Sequence, residues 1–152
     1  MRMGSTMKAL MTAAALLATF VACAEDAKPP AEIPIDRAAV SGRPQRMYVF
    51  YSINPDCGVR GEVGIRIAAA PAHGEVRLEQ STDFPSYGRD NVRFECNKHE
   101  VPVEALFYKS SDGYSGPDSF AVEALYPDGN TYTTRFRIEV WPERALERTR
   151  TP

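Results

Sequence analysis

The feature that most constrains the fold is an alternation of apolar and polar residues with a period of two, which runs through most of the chain after Gln45. The clearest example is TYTTRFRIEVW at residues 131–141, which has one face suited to burial and one charged face. Its inward positions are Tyr132, Thr134, Phe136, Ile138 and Val140, and its outward charges are Arg135, Arg137 and Glu139. A strand with one buried face shows this period, whereas a helix requires a period of 3.6.

Six further segments are interpreted as strands because they are rich in β-branched and aromatic residues and are bounded by turn residues. They are RMYVFYSI, VGIRIA, GEVRLEQ, NVRFEC, VPVEALFY and DSFAVEALY. A total of about seven short strands separated by turns is the number expected for a β-sandwich. The sequence therefore predicts an all-β fold with one sandwich domain at residues 45–142.

Glycine, proline and aspartate mark the connections between these strands. In YPDGNTY, Pro127 sets its own φ, Asp128 can bond its own backbone, and Gly129 accepts a positive φ. We therefore expect a hairpin between the last two strands, with Asp128 as a turn residue. The composition of SSDGYSGPD at residues 110–118 indicates a tight loop between strands.

The first residues have the composition of an export signal. Two basic residues precede an apolar run that ends at Ala22, and Ala22-Cys23-Ala24 matches the small-x-small pattern that signal peptidase accepts. The run is shorter than the roughly 20 apolar residues of a membrane span. Residues 1–24 are therefore interpreted as a signal peptide, with no transmembrane segment after its removal. The alternative is a lipid anchor at Cys23, since FVAC resembles a lipoprotein box.

Two segments flank the predicted domain. Residues 25–44 combine prolines with charges and show no sustained period, which favours a linker or an irregular leading segment. Within it, Ile33 to Ile35 has a composition that a sheet edge tolerates. Residues 143–152 mix three arginines with two glutamates, which is typical of a solvated tail.

The charge balance argues against nucleic acid as a partner. Removal of residues 1–24 takes away two of the 18 basic residues and none of the 20 acidic ones, which leaves a net charge of −4. Arginine and glutamate alternate along the chain without the basic cluster that marks a nucleic-acid binder. The remaining length of about 128 residues is ordinary for a single domain.

Cysteine usage agrees with export. If Cys23 leaves with the signal peptide, Cys57 and Cys96 remain, an even number in an oxidising compartment, which predicts one disulfide. In NVRFEC, Cys96 lies on the same alternate positions as Val92 and Phe94. The pattern therefore predicts that Cys96 shares the core face of a strand.

Three segments carry a family resemblance: APAHGEV at 70–76, ALFYKSSDGYSGPDSFAVEALYPDGN at 105–130, and RFRIEVW at 135–141. They resemble bacterial immunoglobulin-like domains of the cadherin-like tandem-repeat type, whose repeats commonly contain P-x-H-G-x-V and G-x-D-S-F. The resemblance implies an immunoglobulin-like β-sandwich and leaves function open, since such sandwiches host unrelated activities. The chain departs from the family in having one copy, two added cysteines and no dense Asp-x-Asp run, and the last departure weakens a calcium-bridging role.

Metal binding is an alternative to the structural interpretation. The candidate calcium ligands are Asp112, Asp118 and Asp128. They lack the close alternating spacing of a calcium loop and are interpreted as turn residues. The inventory for a copper or zinc site is Cys57, His73, Cys96 and His99. Exported thiols generally pair with each other, so no metal ion or other cofactor is expected.

Catalysis is not expected either, because no segment combines a nucleophile, a base and an orienting group. The candidate nucleophiles Ser110, Ser111, Ser115 and Ser119 lie in turn-rich sequence without a nucleophile-elbow pattern. The abundant carboxylates keep a small hydrolase open as an alternative function.

Aromatic residues give the main indication of binding. Trp141 lies on the outward phase of the last strand, and Tyr87 and Tyr114 occupy loop-like sequence. Aromatic side chains dominate interface hot spots, although Trp141 could instead cover the bottom of the sandwich. Strand addition at an open sheet edge is a second route to a partner.

Together these observations predict an exported, non-catalytic module with a recognition or structural role in the bacterial periplasm or cell envelope. Its partner would be an unknown envelope protein or glycan. The alternatives are a periplasmic copper- or zinc-binding protein and a small hydrolase.

Overall fold

The structure of the protein is a computed structural model, and it describes residues 32–143. The predicted signal peptide at 1–24, the alternative lipid anchor at Cys23, residues 25–31 of the leading segment and residues 144–152 of the tail lie outside the described residues.

Seven β-strands and one short 3-10 helix make up the described chain. The strands are β1 (Glu32–Val40), β2 (Gln45–Phe50), β3 (Gly64–Ala69), β4 (Gly74–Asp83), β5 (Val101–Ser110), β6 (Gly116–Leu125) and β7 (Thr131–Trp141). The 3-10 helix (Phe94–Lys98) lies between β4 and β5. The predicted all-β fold of about seven strands is confirmed.

The strands form two sheets with the orders β1-β7-β6-β3 and β2-β5-β4. All neighbouring pairs are antiparallel except β1 and β7, which are parallel. In the lettering of a constant-type immunoglobulin domain, the smaller sheet is B-E-D and the larger contains G-F-C. The first strand joins the G-F-C sheet here. The topology is therefore that of an immunoglobulin-like sandwich.

Strand β1 corrects the predicted boundary of the domain. The sequence predicts a linker or an irregular leading segment at residues 25–44, with a composition at Ile33 to Ile35 that a sheet edge tolerates, yet all nine residues of β1 pair with β7. Ala39 is buried in the core, and Pro34 lies in this edge strand, where proline is tolerated. Among the described residues the sandwich begins at Glu32, and not at Gln45.

The main core lies between the two sheets. Strand β7 alternates as predicted from Thr134 onward, with Phe136, Ile138 and Val140 buried and the charged residues between them outward. The prediction is wrong at the start of the strand, where Tyr132 is 48% exposed and Thr133 is buried. The rings of Tyr108, Phe120 and Phe136 form a stacked series, with centroid separations of 5.8 Å and 4.8 Å. Offset stacking of this kind adds to the free energy gained by burying the rings.

A second cluster covers the outer face of the smaller sheet. Strand β5 is apolar on both faces, and its outer residues Val101 and Val103 pack with Ile53 and Cys96. The prediction that NVRFEC forms a strand is wrong, because Cys96 lies in the 3-10 helix. Cys96 is nevertheless fully buried, since the helix folds back onto β5 and joins this cluster.

The sandwich has two ends, which are named here by their loops. The tryptophan end contains loops 41–44, 70–73 and 111–115 and residues 141–143, because β6 begins beside the end of β7. The disulfide end contains segments 51–63, 84–100 and 126–130. The predicted hairpin at 126–130 is confirmed by hydrogen bonds between the backbones of Tyr126 and Asn130 and of Gly129 and Tyr126.

Within residues 32–143, no helix is long and apolar enough to cross a membrane. The 3-10 helix has only five residues.

Candidate binding surface

The three aromatic residues predicted to bind a partner do not come together. Tyr114 and Trp141 belong to the tryptophan end of the sandwich, whereas Tyr87 belongs to the disulfide end. A single ligand of ordinary size would therefore meet at most two of them. Their surroundings also differ, and each is described in turn.

Trp141 is the exposed member of the set. It is the last residue of β7, and its side chain is on the outward face of the strand with 52% of its surface exposed. Its backbone is held because the Trp141 carbonyl accepts a 2.9 Å hydrogen bond from the Ser41 N–H. Beside it, the Arg43 guanidinium donates to the Glu143 carboxylate and links the 41–44 loop to the segment that follows β7.

Tyr114 is half-buried and is held by two contacts within the chain. Its ring stacks on the His73 imidazole at 4.1 Å between centroids, with 11° between the planes. Its hydroxyl donates a 2.6 Å hydrogen bond to the Pro117 carbonyl. These contacts join the loop between β5 and β6 to the loop between β3 and β4. One face of the Tyr114 ring is covered by His73, so Tyr114 mainly holds the two loops together.

Asp118 positions the histidine side of this stack, and its role could not be read from the sequence. Its Oδ1 accepts hydrogen bonds from the N–H groups of Ala72 and Ser119, at 3.0 Å and 2.8 Å. Its Oδ2 accepts from the His73 N–H at 3.1 Å and from the Tyr108 hydroxyl at 2.8 Å. Asp118 is 8% exposed, so these four donors replace the water that a buried carboxylate needs.

A depression of 600 Å³ lies on the outer face of the larger sheet next to this cluster. Its walls include His73, Arg137 and Glu139, and Trp141 continues the same outward row of β7. The Asp36 carboxylate accepts two hydrogen bonds from the Arg137 guanidinium, and this contact raises the pKa of Arg137. The surface therefore offers one exposed aromatic ring beside fixed charges of both signs, which can bind a polar ligand by stacking and hydrogen bonding.

Ion pairs extend this charged pattern across the larger sheet. Arg135 on β7 donates to Glu32 on β1, and Arg66 on β3 donates to Glu123 on β6. The hydrogen bond from Arg135 lowers the pKa of Glu32. These are exposed pairs, which stabilise folding only slightly, and they keep the outer face charged and hydrated.

Tyr87 lies in the disulfide end as part of the second cluster. Its ring meets that of Tyr51 edge to face at 5.7 Å. Its backbone N–H and carbonyl form hydrogen bonds with the Asn97 side chain, both at 2.9 Å. Burial raises the pKa of the Tyr87 hydroxyl. These contacts give Tyr87 a structural role in holding the segment 84–100 against the sheet.

The predicted disulfide between Cys57 and Cys96 is present, with 5.3 Å between the two Cα atoms. It joins the segment between β2 and β3 to the 3-10 helix, across a sequence separation of 39 residues. In immunoglobulin domains the usual bridge crosses between the sheets, whereas this one fastens a covering segment to the end of the sandwich.

The residues considered for metal binding are separated in the fold. His73 lies at the tryptophan end, whereas the paired Cys57 and Cys96 lie at the disulfide end. Asp128 lies in the hairpin at 126–130 and accepts a bond from the Asn130 N–H, as a turn residue does. Among residues 32–143, no three histidine, cysteine or acidic side chains come together as a possible metal site.

Of the candidate serine nucleophiles, Ser110 is committed to structure. Its side chain is buried, and its Oγ accepts a 2.9 Å hydrogen bond from the Gly42 N–H. This bond connects the end of β5 to the 41–44 loop, so Ser110 helps to order the tryptophan end.

Comparisons with known proteins add little to this description. No protein-family model and no curated protein sequence matches the chain. Among solved structures, the chain is similar to the solution structure of Amebosin, with a TM-score of 0.38 and 7% sequence identity over 73% of this chain and 99% of that one. A likeness of this size carries no functional argument.

Proposed function

We propose that the chain is an exported, non-catalytic immunoglobulin-like module that has a recognition or structural role in the bacterial periplasm or cell envelope. The observation that carries the proposal is the disulfide between Cys57 and Cys96. Structural disulfides persist in oxidising compartments and are rare in the cytosol. The composition of residues 1–24 supports the same location.

The tryptophan end supports the recognition role. Trp141 exposes half of its surface next to a depression whose walls carry histidine, arginine and glutamate side chains. Aromatic rings bury a large area at low entropic cost, and the neighbouring hydrogen bonds give direction. The partner that suits this surface is an envelope protein or glycan with polar groups around a flat apolar patch.

A non-catalytic role agrees with the way in which the buried polar groups are used. The Tyr108 hydroxyl donates to Asp118, Asp118 also accepts from backbone N–H groups, and the Ser110 Oγ accepts from the Gly42 N–H. A catalytic carboxylate or serine needs a face directed toward substrate. Asp118 lines the 600 Å³ depression, but its two oxygens accept four hydrogen bonds from the chain itself, and Ser110 is buried, so both groups support a role in holding the loops together.

The proposal is tested by capture from an envelope extract with Trp141→Ala. The matched control is Phe84→Ala, because Phe84 is also an exposed aromatic residue, with 51% exposed, but lies at the disulfide end. We expect Trp141→Ala to lose capture of the partner and Phe84→Ala to keep it, with the melting temperature of both near that of the parent. Equal capture by both variants would contradict the proposal that the partner binds at the surface around Trp141. Treating the extract with protease or with glycosidase then distinguishes a protein partner from a glycan.

A further inference from the structure

The four strands at the sheet edges differ in how well they are protected from pairing with another chain. Strand β1 contains Pro34, and β2 and β3 have only six residues each and an irregular register. Strand β4 has ten residues, contains no proline, and pairs with β5 in an unbroken register. Prolines, bulges, short length and charged side chains are the usual means of blocking a sheet edge, and β4 has only the last of these, with charges of both signs. Among the edge strands that the structure describes, β4 is the open one.

The hydrogen-bonding groups on this edge can be assigned from one contact. The Ser111 N–H donates a 2.8 Å bond to the His73 carbonyl, which makes His73 and Ser111 a hydrogen-bonded pair at the end of the β4–β5 ladder. Hydrogen-bonded pairs alternate along an antiparallel ladder. Odd-numbered residues of β4 therefore bond to β5. The backbone groups of the even-numbered residues point away from β5, and these residues are Gly74, Val76, Leu78, Gln80 and Thr82.

The outer face of β4 carries charges of both signs. Glu75, Arg77 and Glu79 are exposed and follow one another at every second position. In an antiparallel pair of identical strands, these charges face each other in a way that depends on the register. Opposite charges across a strand pair stabilise it, and like charges directly opposite destabilise it.

We propose that β4 pairs antiparallel with β4 of a second copy of the chain, about a two-fold axis at Leu78. This register places Arg77 opposite Glu79 of the second copy, twice by symmetry. It also places every outward-pointing even residue from Gly74 to Thr82 opposite another, so the whole edge forms about ten backbone hydrogen bonds. The two smaller sheets become one six-stranded sheet.

The neighbouring register is disfavoured by charge. A two-fold axis at Arg77 sets the two arginines against each other and sets Glu75 against Glu79. An axis at Val76 keeps the opposite charges paired but leaves Gln80 and Thr82 without partners. Leu78 and Val76 face the core and are only half-buried in one copy, so pairing at Leu78 also covers apolar surface at the sheet edge.

Sedimentation equilibrium of the purified protein tests the pairing and its charge dependence. We expect a reversible dimer whose dissociation constant rises on the order of tenfold in Arg77→Glu, because each Arg–Glu contact becomes Glu–Glu. The double variant Arg77→Glu/Glu79→Arg restores the opposite charges in reversed order and recovers the dimer. Both variants lose the contact of Arg77 with the Phe107 ring, and the double variant also restores the 3.1 Å ion pair between residues 77 and 79 of one chain. The melting temperature of each variant at a concentration where it is monomeric therefore separates an effect on the monomer from an effect on pairing. A monomer at all concentrations, or equal loss in both variants, overturns the proposal.

Cross-linking tests the register. Leu78→Cys places the two new thiols across the axis, with about 5.5 Å between the Cα atoms, within reach of a disulfide. Gln80→Cys is the matched control, because its two copies lie about four residues apart along the strands, on the order of 13 Å. We expect a cross-linked dimer for Leu78→Cys alone. Cross-linking of Gln80→Cys at an equal rate contradicts the register. These measurements use purified protein and do not depend on its location in the cell.

Discussion

The strongest energetic prediction concerns Asp118→Ala at the tryptophan end. Removing the carboxylate leaves the Tyr108 hydroxyl, which is fully buried, without its partner. An unsatisfied buried hydroxyl costs about 2 kcal/mol. The N–H groups of Ala72, His73 and Ser119 each lose a bond as well, and because water can reach this partly buried loop we assign about 2 kcal/mol to the three together. The expected loss in the free energy of unfolding is about 4 kcal/mol.

Urea denaturation measures this loss, and the melting temperature gives a second reading. A domain of this size changes its melting temperature by about 4 °C per kcal/mol, so we expect a fall of about 16 °C. Tyr108→Phe should cost only about 1 kcal/mol, because Asp118 keeps three N–H donors. Asp112→Ala is the matched control, since the Asp112 side chain is 86% exposed, and it should change stability by less than about 0.5 kcal/mol.

The outcome that refutes this reasoning is a loss of less than about 1 kcal/mol in Asp118→Ala. Such a result would mean that water forms the hydrogen bond to the Tyr108 hydroxyl and that contacts other than those of Asp118 hold the loop between β3 and β4 in place. A double-mutant cycle between Asp118 and Tyr108 should give a coupling of about 1.5 kcal/mol or more. Purely additive effects would show that the two side chains act independently.

Three further predictions follow from the same structure. The double variant Cys57→Ser/Cys96→Ser should lose about 4 kcal/mol in urea denaturation, because the bridge closes a loop of 39 residues; an unchanged midpoint contradicts this. Burial raises the pKa of Tyr126 to about 12, above its value of about 10 in an unfolded chain, so its contribution to stability is complete below pH 10 and is lost toward pH 12. Tyr126→Phe should flatten the fall of the urea midpoint across that window, and an unaltered pH profile refutes this assignment. Gly74→Ala should destabilise by about 2 kcal/mol in thermal denaturation, because its Cβ would lie 2.5 Å from a carbonyl oxygen of β5, whereas Gly88→Ala meets nothing within 4 Å and should be nearly neutral.

The six strands β2 to β7 could be predicted because they are rich in β-branched and aromatic residues between turns, and most of them alternate with a period of two, although β5 is apolar on both faces. Strands such as β7 bury one face in the core and expose the other, and this pattern is written directly in the sequence. The turn at 126–130 could also be predicted from the sequence, since Pro127, Asp128 and Gly129 each favour a particular backbone conformation.

Two elements were mispredicted for physical reasons. Strand β1 buries only Ala39 fully, so its sequence shows no alternation. Its proline and charged residues are also typical of a linker. The segment NVRFEC alternates like a strand, but Val92 is 74% exposed and Cys96 is buried by the disulfide and the 3-10 helix. In both cases the contacts that decide the conformation are distant in sequence.

The candidate site could be predicted only in part. The outward phase of Trp141 was visible from the alternation in β7. The packing of Tyr114 on His73 and of Tyr87 on Tyr51 depends on loops that meet only in the folded chain. For the same reason the sequence around Asp118 indicates only a turn residue, although its four hydrogen bonds connect three segments of the folded chain.

The central claim, an exported module stapled by one disulfide, is tested most directly by the intact mass of the protein from its native compartment, alkylated with and without prior reduction. We expect a species that begins at Glu25 and takes up alkyl groups at Cys57 and Cys96 only after reduction. Alkylation of both cysteines without reductant would contradict it.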